Sequence, residues 1–314
     1  MKDLHTLPKV RDSWSYLYVE HCRVDQEGKA IVLHDAEGRT PVPCAALTLL
    51  MLGPGTSITH AAIRTLAENG CLVMWTGEGA VRFYAVGMGE TRSARHLLEQ
   101  ARRWADPILR LAVVRRMYSM RFPEPLDDYL SLQQIRGREG IRVREAYARA
   151  SRATGVPWKG RSYQRDQWGS TDPINRALSA ANSCLYGVCH AAIVSAGFSP
   201  ALGFIHTGKM LSFVYDIADL YKTEVTVPIA FQCVAEGETH VETRVRRACR
   251  DAFREGRILA RIVPDMMRAL GLEETIAEEE EIDRDAALPG GLWDPDLGEQ
   301  DGGINWGEEN SGEI

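Results

Sequence analysis

Asp216 and Asp219 stand three residues apart in LSFVYDIADL, a spacing that sets both carboxylates on one face of a helix. Leu211, Phe213, Val214, Ile217, Ala218 and Leu220 fall on nearly every side of that helix, so it is expected to be largely buried. Two like charges in such surroundings are costly unless a cation or a donor lies between them. His206 comes ten residues before Asp216. Gly203, Thr207 and Gly208 bracket it with loop chemistry, so the imidazole can fold back over the helix start. One imidazole beside two carboxylates is a donor set for a divalent metal ion. The same spacing fits a plainer arrangement, in which the aspartates pair with arginines elsewhere and His206 is an ordinary loop residue; such ion pairs are commoner than metal sites.

Glu139 offers a further ligand. It lies in IRGREGIRVREAYARASRATG, which has helix composition from Arg138 onward and Gly155 as a terminal cap. RGREGIRVR, the helix running from TDPIN to LYGV, GFIHTG and SFVYDIAD together resemble the CRISPR-associated integrase of spacer acquisition, the Cas-one family, most closely its type I-E branch. The likeness runs in order from about Trp14 to about Leu270 and leaves only the acidic tail outside. It implies that Glu139, His206 and Asp219 bind a catalytic metal, with Asp216 at the neighbouring acidic position of the catalytic set. Mn2+ suits mixed oxygen and nitrogen ligands at least as well as Mg2+, which prefers oxygen. The implied reaction joins the 3′ hydroxyl of a double-stranded DNA fragment to the CRISPR repeat DNA. The implied assembly is a homodimer bridged by a small partner protein, Cas-two. Two other classes stay open: a stand-alone structure-selective DNA endonuclease, and a non-catalytic DNA-binding scaffold in which Glu139, His206 and Asp219 are structural.

Composition sets wider bounds. The 314 residues suffice for a full core, and two domains are a fair expectation. Seven scattered cysteines, odd in number and without a CxxC pair, argue against a disulfide framework or a zinc module and favour a reducing cytoplasm. MKDLHTLPKV lacks the apolar stretch of a signal peptide, and no uncharged apolar run is long enough to cross a membrane. The net charge of −6 is unevenly spread: positions 271–314 hold 15 acidic residues against Arg284, which leaves a surplus of 8 positive charges on positions 1–270. That surplus can gather into a basic face.

Such a face has two candidate sources. Nine arginines and no lysine lie between Arg82 and Arg121, opposed by Glu90, Glu99 and Asp106 alone, a bias that favours bidentate phosphate contact over an ordinary solvated face. Arg247, Arg250 and Arg254 form a stripe on a later helix. Arg64, Arg82, Arg95, Arg247 and Arg250 are the residues expected to touch DNA. In VPWKGRSYQRDQWGS, Trp158, Tyr163 and Trp168 either stack on frayed bases or pin the loop to the core, and packing is the favoured reading.

The elements that must position these groups divide the chain in order. WSYLYVE, KAIVLHD, RTPVPC, ALTLLML, CLVMWT and AVRFYAV read as strands, with turns at Asp25 to Gly28 and Asp35 to Gly38 and a helix capped by Thr59. Gly53-Pro54-Gly55 and Gly77-Glu78-Gly79 read as hairpin turns, since neither has the spacing or lysine of a nucleotide loop. Residues 91–121 read as helical, with Asp106 and Pro107 as a cap and first-turn pair. Asp172-Pro173 opens a small-residue helix, ended by Gly197, that is expected to be central; Asn175 and Tyr186 on it are expected to support the site, and His190 to be a core residue. The fold class is therefore α+β: a small N-terminal β-sheet domain over residues 1–88, a larger all-α catalytic domain over 89–271, and an acidic tail over 272–314 expected to be disordered.

Overall fold

A computed structural model describes residues 16–44, 47–80, 82–87, 94–161, 172–273 and 292–300. Strand β1 (Tyr16–Val19) is followed by the antiparallel meander β2 (Arg23–Glu27), β3 (Ala30–Asp35) and β4 (Gly38–Pro43). Asp35 closes the second turn by accepting from the backbone N–H groups of Glu37 and Gly38. Then come β5 (Leu49–Leu52), β6 (Ser57–Ile58), helix α1 (His60–Glu68), β7 (Leu72–Thr76) and β8 (Phe83–Gly87). Thr59 caps α1 as its position predicts, its hydroxyl accepting from Ala62 N.

The strands form two sheets, of order β1-β5-β7-β8 and β4-β3-β2-β6. Strand β5 is parallel to both β1 and β7, and all four of its residues are buried. Alternation sends Leu50 and Leu52 to a core shared with Val24, Ile31 and Leu66, and sends Leu49 and Met51 to one shared with Met74 and Ala191. A strand covered on both faces has no polar side to show, which is why LLML is an unbroken apolar run.

The helical part comprises α2 (Arg95–Ala105), α3 (Pro107–Ser119), α4 (Leu132–Thr154), α5 (Pro173–Ser195), α6 (Ser212–Ala218), α7 (Val227–Ala235), α8 (Val241–Glu255) and α9 (Ile258–Leu270). The chain is thus α+β, sheets first and helices after. Asp106 ends α2 and caps α3 through Ile108 N and Leu109 N. Helix α4 begins six residues earlier than its composition indicates, at a capping box in which Ser131 and Gln134 satisfy each other's backbone N–H. Helix α5 is long and apolar enough to cross a membrane, but it is the core helix here: Ala177, Ala181, Cys184, Leu185, Cys189 and Ala192 are all buried, and α6, α7, α8 and α9 pack around it. His190 on α5 stacks on Phe83 of β8 at 3.7 Å, and burial lowers its pKa to about 4. Trp158 stacks on Tyr147 and packs edge-on to Phe231, the pinning role; Tyr163 and Trp168 lie outside the described residues.

The described strands β1 to β8 and helices α1 to α9 share one compact unit. The expected boundary between residues 88 and 89 lies outside the described residues. Within the stretch expected to be disordered, β9 (Leu292–Asp294) and β10 (Gly298–Gln300) form an antiparallel hairpin, closed where Asp294 accepts from Asp296 N and Leu297 N. This local turn chemistry needs no apolar core, which is why composition did not reveal it. The remainder of that stretch after Glu273 lies outside the described residues.

Candidate active site

Three elements bring the sequence-predicted acidic and imidazole residues together. Glu139 projects from α4, Asp216 lies within α6, and Asp219 is the C-cap of the same helix. His206 sits on the loop between α5 and α6. The helix expected from Leu211 through Leu220 is only seven residues long; it is capped at Asp219, and a π-helical turn, Lys222–Thr226, follows before α7, which has Pro228 in its first turn.

Asp216 is fully buried, and its carboxylate folds the loop. One oxygen accepts from Phe204 N at 2.6 Å and Ile205 N at 3.0 Å, the other from His206 N at 2.8 Å. That second oxygen also meets His206 Nδ1 at 2.7 Å. With Nδ1 held there, Nε2 faces Asp219 Oδ2 at 4.0 Å. The opposite side of the loop is held by α2 and α3: Gln100 bonds Ser199 O and Leu202 O, while Trp104 and Arg110 donate to Gly203 O. Gly203 is required by contact, since a Cβ there would lie 2.4 Å from His206 O. Both Asp216 oxygens are thus taken up by the loop.

The carboxylates facing the site are matched by cations. Arg142, one turn after Glu139, forks it with Nε at 2.7 Å and Nη2 at 2.9 Å and reaches Thr223 with Nη1. Lys222 Nζ lies 2.5 Å from Asp219 Oδ1. Burial works to lower the Lys222 pKa, but Asp219 and Tyr186 beside it outweigh that and hold it above the ordinary lysine value. Arg121, just past the end of α3, places Nη1 3.2 Å from Glu139 Oε1 and 3.7 Å from Asp219 Oδ2. Pairing with an arginine, the plainer reading of the aspartate spacing, is therefore present for Asp219, while Asp216 meets His206. Arg142 and Lys222 were within reach of sequence reasoning as i,i+3 partners of the acids. Arg121 was not, being 18 residues from Glu139 and still farther from Asp219.

The donor set fits a divalent ion in its chemistry: two carboxylates and an imidazole nitrogen whose other nitrogen is fixed by a carboxylate, as at many metal-binding histidines. As arranged here, no three such groups among the described residues converge to hold an ion, and the Arg121 guanidinium lies between Glu139 and Asp219. A cleft of about 470 Å³ opens beside them; Arg121, Arg138, Arg142 and Arg149 line it together with Glu145, which pairs with Arg149 at 3.9 Å. A larger cavity, of about 600 Å³, lies between α4, α7 and α8 against small and apolar residues such as Ala146, Ala150 and Ile229. It contains neither Glu139, His206 nor Asp219.

Tyr186, expected to support the site, has its ring under Lys222 Nζ at 4.9 Å and edge-on to Tyr215. Asn175, expected to do the same, bonds Gly160 O in the loop before α5. The arginine series between Arg82 and Arg121 is also mostly occupied elsewhere. Arg103 and Arg116 cap the last carbonyls of α9, Arg115 holds Leu130 O, and Arg110 holds the loop before His206. Five donors on a rigid fork suit arginine to helix-end carbonyls as well as to phosphate, so residue bias alone does not tell the two apart. Arg82 is exposed beside β8, and Arg95 is half-buried at the start of α2. Arg247 and Arg250 are exposed on α8, the stem of Arg250 lying against Gly79 in the β7–β8 connection that also carries Arg82. Arg64 is exposed on α1 and pairs with Glu68 at 3.7 Å.

The sequence profile described as "CRISPR associated protein Cas1" matches residues 15–123 and 118–250, and the second stretch holds Glu139, His206, Asp216 and Asp219. The chain belongs to the Cas1 family. A Cas1 relative, the CRISPR-associated endonuclease Cas1 2 of Thermus thermophilus, is 60% identical over 315 residues, 99% of this chain and 96% of that protein. The Cas1 3 endonuclease of Methanospirillum hungatei is 47% identical over 272 residues, covering 86% and 90%. The crystal structure of a TtCas1–DNA complex aligns with a TM-score of 0.79 at 63% identity, over 84% of this chain and 99% of that one. The Thermus alignment takes in nearly the whole chain, so the acidic tail is not outside the Cas1 likeness as the shorter resemblance implied.

Proposed function

We propose that this chain is a metal-dependent DNA integrase of CRISPR adaptation, of the type I-E branch, joining 3′ hydroxyl ends of short DNA fragments to the CRISPR repeat by transesterification. The observation that carries this reading is the loop clamp, in which Asp216 fixes His206 Nδ1 and turns Nε2 toward Asp219. Glu139, His206 and Asp219 would hold Mn2+ or Mg2+, which when bound would acidify the attacking hydroxyl and shield the phosphoryl oxygens. The protein's own contribution is placement. Asp216 and Gln100 fix the loop, Arg138 lines the adjoining cleft as a contact for phosphates beside the Arg149–Glu145 pair, and Arg82, Arg247 and Arg250 offer exposed contacts to the DNA backbone. The relative crystallised with DNA supports a DNA substrate. The reading extends to a cytoplasmic homodimer bridged by a small Cas-two partner, and to domains over 1–88 and 89–271 followed by the tail.

Asp219→Asn is expected to abolish strand transfer of a short duplex into a supercoiled target with Mn2+ and the partner, while fragment binding stays nearly intact. Full activity in that variant would remove Asp219 from the site. The relatives' naming as endonucleases favours one second reading, a stand-alone nuclease using water as nucleophile. Cleavage of branched DNA without the partner, and without strand transfer in its presence, would establish it. DNA binding with no strand breakage under any metal would leave the non-catalytic scaffold.

A further inference from the structure

The site already holds its own cations. The two carboxylates that face it, Glu139 and Asp219, are met by Arg121, Arg142 and Lys222. The three cations are held differently. Arg142 spends all of its terminal nitrogens on Glu139 and Thr223, and Lys222 is bonded to Asp219 over the face of Tyr186. Arg121, with a side chain 4% exposed, reaches the carboxylates with Nη1 alone, by one moderate hydrogen bond and one longer ion pair. Its Nε and Nη2 are buried without a hydrogen-bond partner, and its guanidinium lies over the Tyr118 ring at 5.0 Å.

We propose that Arg121 is a resident counter-ion occupying the cation position between Glu139 and Asp219, and that a divalent ion enters this site only by displacing its guanidinium. The inference rests on the metal-site reading above. A guanidinium and a divalent cation between the same two carboxylates repel one another, and adding the ion to a mostly buried site whose two facing acids already meet three cations leaves it over-charged. Of the three cations, Arg121 has the weakest hold on the acids and the most to gain by moving. Its two unbonded donors find no partner where they are, and the cleft it lines, walled by Arg138 and Arg142, gives its side chain room to swing. A DNA phosphate entering that cleft supplies both the acceptor for those donors and the negative charge that rebalances the site. Metal and DNA therefore bind cooperatively, and the protein without DNA holds its metal weakly. Arg121 is in these terms a gate on metal loading rather than a ligand.

The test is calorimetric titration of Mn2+ into the full chain, wild type and Arg121→Gln, with melting temperatures taken with and without Mn2+. Arg121→Gln is expected to bind Mn2+ about tenfold or more tightly than wild type, the scale on which groups around a metal site set its affinity, and to gain more in melting temperature on adding Mn2+. Equal or weaker binding in the variant overturns the gate while leaving the metal site standing. Absence of Mn2+ binding from both proteins overturns the site and the gate together. Should Arg121→Gln fail to fold, the Nε–H resonance of Arg121 in the wild-type chain, assigned by its loss in Arg121→Lys, reports the same event. A shift as Mg2+ saturates the protein supports displacement, and an unmoved resonance overturns it.

Discussion

At the scale of single residues, the two aspartates of one short helix have been given opposite tasks. Asp219 points its oxygens at Lys222 and Arg121 in a partly open site, whereas Asp216 faces inward and is saturated by three backbone N–H groups and one imidazole. A buried carboxylate is tolerable only with that many donors, and the donors in turn depend on it. Asp216→Asn keeps the shape but has one acceptor oxygen for donors now served by two, and its amide hydrogens confront N–H groups. We expect a loss of about 3 kcal/mol in unfolding free energy by urea titration, the cost of leaving buried donors unsatisfied. Unfolding at the wild-type urea concentration would show that the loop needs no such anchor.

At the scale of elements, arginine sorts into clamps and contacts. Arg103 and Arg116, from α2 and α3, donate to Ala269, Leu270 and Gly271 at the negative end of α9, tying helices 150 or more residues apart in sequence. Desolvation lowers the Arg116 pKa, but an arginine stays charged at any physiological pH, so this clamp does not loosen with acidity. Arg116→Ala is expected to cost about 2 kcal/mol of stability, since it removes two charge-assisted bonds from helix-end carbonyls, with no change in the salt dependence of DNA binding. Arg82→Glu combined with Arg250→Glu should do the reverse: melting near wild type, but weaker binding to every duplex sequence and a shallower salt slope. Fluorescence anisotropy at several salt concentrations, beside thermal melts, separates the two variants; a normal salt slope in the double glutamate variant would return those arginines to the solvated surface.

At the scale of the whole molecule, charge is divided along the chain, with 15 acidic residues and one arginine after Leu270 and a basic surplus before it. A tethered segment of that charge repels a DNA backbone approaching the body, at a range of about 8 Å in physiological salt. Ending the chain after Gly271 is expected to tighten binding to random duplex DNA at low salt and to lose that advantage at high salt. Equal affinity of the full and shortened chains at low salt would show the tail to be electrostatically idle. Trp293, 79% exposed in its hairpin, gives an emission signal for the same segment when DNA is added to the intact chain.

Sequence alone determined whatever depends on neighbours along the chain. The caps at Thr59, Asp106 and Asp172, the buried small-residue helix, the apolar strand at Leu49–Leu52 and the α+β order all follow from turn chemistry and periodicity, and each is present. Family resemblance added Glu139, His206 and Asp219 as one group, and the fold brings their helices and loop together. Three-dimensional packing decided what each long or charged side chain does with its donors. Asp216 and Asp219 have the same side chain three residues apart, yet the loop before α6 folds over one and leaves the other facing Arg121. The arginines of α2 and α3 share one composition, yet Arg103 and Arg116 meet the end of a helix that the sequence places far away, while Arg121 meets two acids. A side chain reaching several ångströms with up to five donors finds its partner in space, and spacing along the chain carries no record of which carbonyl or carboxylate the fold will set there.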